Sequence, residues 1–141
     1  MYRPQVRGPR DTFMNILKKI IEFLEKNKGI SFVLMLITLA VIWYFSSIPG
    51  NSIPLKSIWP SIIYHFFIFA LFSFFLLTII AKKGIRKKDI LIVFLISLVF
   101  SFLDEIHQAF VPLRSPDIKD ILVDLAGVIS ASILVYFVKR K

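Results

Sequence analysis

Four apolar stretches near twenty residues long dominate this chain, and a soluble domain of 141 residues would not carry so many of them. They cover residues 30–48, 59–81, 90–110 and 118–138. At 1.5 Å of rise per helical residue, each can cross a hydrocarbon core roughly 30 Å thick. The composition agrees, with 57% hydrophobic residues and a mean hydropathy of +0.76. The expected fold is therefore an all-α membrane protein: four transmembrane helices preceded by an N-terminal amphipathic interfacial helix. Residues 1–29 form the arm and that first helix, and residues 30–141 form the four-helix transmembrane domain.

Local signals set the boundaries. Residues 1–11, rich in Pro and Arg, read as a flexible arm or an upstream extension. Phe13, Ile16, Leu17, Ile20, Ile21 and Leu24 then recur at helical spacing, with Lys18, Lys19, Glu22, Glu25 and Lys26 largely opposite. That pattern suits a helix lying in the interface, with lysines among anionic headgroups. Asp11 or Thr12 can cap its start and Gly29 can end it. The long arm and the missing small-x-small cleavage site argue against a secretory signal peptide. Pro49-Gly50 stops the first span, which carries Trp43 and Tyr44 near its end, and Pro60 is tolerable in the first turn of the second. Asp89 can cap the third helix, while Ser115-Pro116-Asp117 reads as N-cap, first turn and dipole-matched acid for the fourth.

Fifteen of the eighteen Lys and Arg residues fall before the first span, between the second and third, or after the fourth. Only Lys56, Arg114 and Lys119 fall on the other side. By the positive-inside rule both termini are cytoplasmic and the protein is a multi-pass protein of the plasma membrane. The net charge of +9 is thus read as membrane topology, and no basic-aromatic groove suggests nucleic acid as a partner. The absence of cysteine excludes disulfides and thiolate chemistry. No internal repeat is evident.

Polar residues break the apolar pattern at one end only. His65 lies roughly 9 Å into the second span, and Asp120 and Asp124 roughly 6 and 12 Å past Pro116. Asp104 lies at a comparable depth in the third span, followed by Glu105, His107 and Gln108. Ionisable groups within spans are costly, so this patch is the candidate site. His65, Asp104, Glu105 and Asp120 are the candidate catalytic residues, and His107, Gln108, Arg114, Asp124, Ser46 and Ser47 the candidate ligand contacts. Asp104, His107 and Gln108 share one helical face by their spacing. Asp117, Asp120, Asp124, Gly127 and Ala131 form a seam, its small residues allowing a neighbouring helix close.

Each residue also has a plainer reading. Asp117 can serve only the helix dipole, and Lys119 can snorkel outward. Glu105 can simply reach water at the rim, and Arg114 can be an ordinary loop residue. Ser46 and Ser47 can bond back to their own helix, and His65 can make a structural bond to an aspartate. Three chemistries suit the set: general acid/base work, divalent-metal ligation without a strict metal motif, and capture of an anionic headgroup by Arg114 and Lys119.

Phe45-Ser46-Ser47-Ile48-Pro49, then His65, then Asp104-Glu105-Ile106-His107-Gln108-Ala109-Phe110-Val111-Pro112, Arg114, Asp120, Asp124 and Gly127 together resemble the VanZ-like family of small membrane proteins. The sequence departs from the family pattern at Leu113, where Gly is usual, and at Asp124, where Asn is usual. The resemblance implies a cell-envelope protein, the namesake being linked to teicoplanin resistance. The patch then engages a lipid-linked or amphipathic envelope ligand, with or without turnover. Proton- or ion-coupled transport and a purely structural membrane subunit are the competing readings.

Overall fold

A computed structural model describes residues 9–52, 59–81 and 84–140. The arm before Pro9, Lys56, Lys82, Lys83, Lys141 and the side chain of Asp11 lie outside the described residues. The elements are α1 (Pro9–Lys26), α2 (Lys28–Ser46), a short 3-10 turn (Gly50–Ser52), α3 (Trp59–Ile80), α4 (Lys87–Gln108) and α5 (Ile118–Arg140). Among the described residues there is no strand. The last four helices are each long and apolar enough to cross a membrane, and the chain is a multi-pass membrane protein.

The bundle is built around α3 and α5, which make the most extensive helix pair. Gly127 is the reason they come so close: a Cβ there would overlap the Phe66 carbonyl oxygen and stand 3.2 Å from the Ala70 nitrogen. Phe69, Phe72, Leu77, Val93, Val128 and Val135 fill the core around this contact. Phe67, Leu95, Val99, Leu122 and Ile133 point outward and are exposed, as lipid-facing side chains are.

α1 is amphipathic in an unusual division. Ile21 and Leu24 are buried against the bundle, with Met14 and Leu17 packed beside them. Phe13, Ile16, Ile20 and Phe23 form a second apolar stripe that stays exposed. Half of the apolar arc thus holds the helix to the protein, and half is available to acyl chains. The Lys139–Glu25 ion pair (2.7 Å) ties α1 to the end of α5.

Several helix ends differ from those expected. α1 starts at Pro9, so Thr12 lies inside it and not at its start. It ends at Lys26, the next residue, Asn27, donating its side-chain amide to the Phe23 carbonyl (2.8 Å), and Gly29 lies within α2. Ser31 donates to the Leu24 carbonyl (2.8 Å), which pins the corner. Lys28 donates to the Ile79 and Ala81 carbonyls (2.5 and 3.0 Å), satisfying acceptors that the end of α3 leaves without helical partners. Asp89 is not the N-cap of α4 but its third residue. From there it accepts from the backbone N–H and the guanidinium of Arg86, which is the N-cap. Asp117, rather than Ser115, caps α5, accepting from the Lys119 N–H at 2.9 Å.

The antiparallel helices create two unlike ends. One gathers the start of α2, the end of α3, the start of α4 and the end of α5, together with most of the lysines and arginines. The other gathers Asp104, Glu105, Asp117, Asp120 and Asp124.

Candidate functional site

At the acidic end, four helices and one loop close over a set of buried polar side chains. His65 of α3 stands between two aspartates of α5. Its Nδ1 is 3.0 Å from Asp124 Oδ1, and its Nε2 is 3.8 Å from Asp120 Oδ2. With Asp124 ionised, Nδ1–H donates to it and Nε2 is left facing Asp120. Ser101 of α4 donates to the second Asp124 oxygen at 2.6 Å. Asp124 is fully buried, whereas the Asp120 side chain keeps about a fifth of its surface. One aspartate therefore orients the imidazole while the other lines the way in.

A second cluster lies on α4. Ser46, at the end of α2, donates to Asp104 Oδ1, and the Gln108 amide donates to Asp104 Oδ2 at 2.9 Å. Glu105 is buried and accepts from the Asp117 backbone N–H at 2.7 Å, which joins α4 to the start of α5. Arg114 donates to the carbonyls of Ile48 (3.2 Å) and Phe45 (2.8 Å), with a longer contact to the Gln108 side chain (3.4 Å). Arg114 thus fastens the loop after α4 onto the end of α2, beyond the ordinary loop role.

The structure brings together His65, Asp104, Glu105, Gln108, Asp120, Asp124 and Ser46 at this end. The first partner of His65 is Asp124; Asp104 is engaged by Ser46 and Gln108 instead. His107 lies on the same side of α4 as Asp104, and both meet the end of α2. It stacks on Trp43 (centroids 3.9 Å apart) and lies 2.9 Å from Ser47 Oγ, at the partly exposed edge of α2. Ser47 also donates back to the Trp43 carbonyl, so the two serines have different tasks. Asp117 acts as cap and Glu105 partner, and Lys119 is exposed. Along the α5 seam, Asp124, Gly127 and Ala131 are buried.

Ser101 escaped the sequence reading, although a signal existed. Ser97, Ser101, Asp104 and Gln108 recur at helical period, and all four are buried. Tyr64 also belongs to this end, its hydroxyl donating to the Val41 carbonyl at 3.3 Å. Among the described residues, no group of three His, Asp or Glu side chains is arranged to hold a metal ion.

The turn after α4 carries one residue in an unfavourable backbone conformation. Leu113 has φ +59°, in the left-handed region that disfavours side chains, and it is exposed. Its carbonyl lies where a Cβ on Gly50 would be, and Gly50 N–H donates to the Pro112 carbonyl at 3.1 Å. Leu113→Gly is expected to stabilise by up to about 1 kcal/mol, relief of left-handed strain outweighing the added chain entropy. Thermal melts in detergent check this, and a lower melting temperature would contradict it.

Behind Glu105, α4 and α5 diverge to leave a cavity of about 410 Å³. Phe102, Ile106, Phe110, Ile118 and Ile121 give it apolar walls, while Glu105 and Asp117 stand at its polar edge.

No curated protein and no solved structure matches this chain. The model of the VanZ/LLP1 family matches residues 30–139, from the first membrane-crossing helix almost to the end of the last. That span contains His65, the α4 acids, Arg114 and the α5 aspartates, and it leaves out only α1 and the residues at the two termini. A bundle of four apolar helices with its polar residues gathered at one end thus belongs to the VanZ/LLP1 family.

Proposed function

We propose that this protein lies in the plasma membrane with both termini cytoplasmic, and that its outward-facing acid/His/Arg pocket binds a lipid-linked or amphipathic envelope ligand. The carrying observation is the cavity between α4 and α5, whose apolar walls end at Glu105 and Asp117. An apolar chain fits the walls, and hydroxyls or an amine on the polar end suit acceptor carboxylates. The role in glycopeptide resistance associated with the family name is consistent with such a ligand. His65, oriented by Asp124 and facing Asp120, does not line this cavity, and the ligand reading rests on Glu105 and Asp117.

Native mass spectrometry of the full chain, solubilised from its own membranes, tests the reading. A co-purified envelope lipid is expected, with about tenfold lower occupancy in Glu105→Gln, since hydrogen bonds to a charged group are worth about 1.5–3 kcal/mol. Ala109→Phe, which fills the cavity from an exposed position, should lower it as well. Unchanged occupancy in both variants would overturn the proposal. Orientation is tested separately: reporters fused after Gly50 and Leu113 are expected outside, and those after Gly84 and Lys141 inside. An external signal at Gly84 contradicts it.

One observation favours a structural subunit instead. The bonds Ser46–Asp104, His65–Asp124 and Ser101–Asp124 all run between helices. On that reading Asp104→Asn and Glu105→Gln lower the melting temperature in step with any phenotype. On the ligand reading the phenotype is lost while stability holds.

A further inference from the structure

The basic end holds a second pair of cavities that the acidic site does not use. One, of about 340 Å³, is lined by Arg86, Lys139, Arg140 and Tyr136. The other, of about 260 Å³, is a groove between α4 and α5 walled by Ile90, Phe94, Ile129 and Ile133. Tyr136 lines both, so the two are neighbours sharing one residue, and Lys87 lines the groove. From Lys87 to Phe94 the groove runs roughly 10 Å along the helix, about two-thirds of the apolar depth of one leaflet.

Charge and polarity both point to one kind of occupant. Four cations (Arg86, Lys87, Lys139 and Arg140) face two carboxylates. Asp89 pairs with Arg86 and Glu25 with Lys139, which leaves an excess of positive charge around the cavity. The Ser132 hydroxyl lines the groove, is buried, and has no hydrogen-bond partner among the described residues. A buried donor of this kind calls for an acceptor on whatever fills the groove.

We propose that an anionic phospholipid binds here, its phosphate near Arg140 and Lys87, the two of these cations that the ion pairs leave over, and one acyl chain in the groove. An ester carbonyl would meet Ser132. Basic pockets between membrane helices recognise acidic headgroups in this way, and the apolar groove adds a requirement that a free anion lacks. This site is separate from the acidic pocket, and neither proposal depends on the other.

The test uses the full-length protein in a neutral detergent, with melting temperature read against added lipid. Phosphatidylglycerol is expected to raise it and phosphatidylcholine to leave it nearly unchanged. Arg140→Gln should weaken the apparent affinity about fivefold, the factor given by ~1 kcal/mol per surface cation. Ile133→Trp, which fills the groove from an exposed position without altering charge, should weaken it at least as much. An equal response to both lipids overturns the proposal, as does a full response to glycerol 3-phosphate alone, which would mark a small-anion site. Retained phosphatidylglycerol binding in Ile133→Trp overturns the docked chain. Loss in Ala109→Phe instead would put the lipid in the other cavity and likewise overturn it.

Discussion

Gly127→Leu is expected to abolish the folded bundle, and Gly127→Ala to destabilise it by about 1–3 kcal/mol, the range for overpacking a tight contact. The added Cβ meets backbone on α3, the Phe66 carbonyl and the Ala70 nitrogen, so no side-chain rotation relieves the overlap. α3 must move away from α5, and those two helices carry His65 and its aspartates. Detergent melts and size-exclusion profiles of both variants check this. Wild-type stability in Gly127→Ala would mean that the helices are farther apart than described.

The second large effect concerns the buried pair. His65→Ala is expected to cost about 3–5 kcal/mol, because Asp124 would remain fully buried with only Ser101 as a partner. Asp124→Ala should cost a similar amount by stranding His65. Asp124→Asn, however, keeps an acceptor for His65 and a polar contact for Ser101, so a loss of about 1 kcal/mol or less is expected. The double variant His65→Ala/Asp124→Ala should be less unstable than the two single losses added together, since neither partner is then left alone. Additive losses would show that the two side chains do not support one another.

These two predictions differ in how far they could be reached without coordinates. The role of Gly127 was legible, because Asp117, Asp120, Asp124, Gly127 and Ala131 step along one face at helical spacing, and that period is a local property of the chain. The partner of His65 was not. Depth along each helix follows from rise per residue, which brought His65, Asp104, Asp120 and Asp124 to one level. Which aspartate meets the imidazole depends on how each helix is rotated about its axis. That rotation is settled by packing, here by the close approach of α3 and α5 at Gly127, and no spacing within one helix contains it.

The same division explains the other outcomes. Four membrane-crossing helices, an amphipathic first helix and a gathering of polar residues at one end all follow from hydropathy and periodicity, because each helix must satisfy its own backbone in lipid. Helix ends were less legible, since caps compete locally. Asp89 serves better at the third position beneath Arg86, and Asp117 replaces Ser115 because its backbone N–H is also held by Glu105. His107 shows the limit most plainly. Its spacing puts it on the face of Asp104, but that its ring stacks on Trp43 depends on that face meeting α2. The sequence alone determined which residues share a helix face and a depth, through bond geometry and the demand of the membrane. Only the tertiary structure decided which faces meet, because that choice belongs to contacts between residues far apart in the chain.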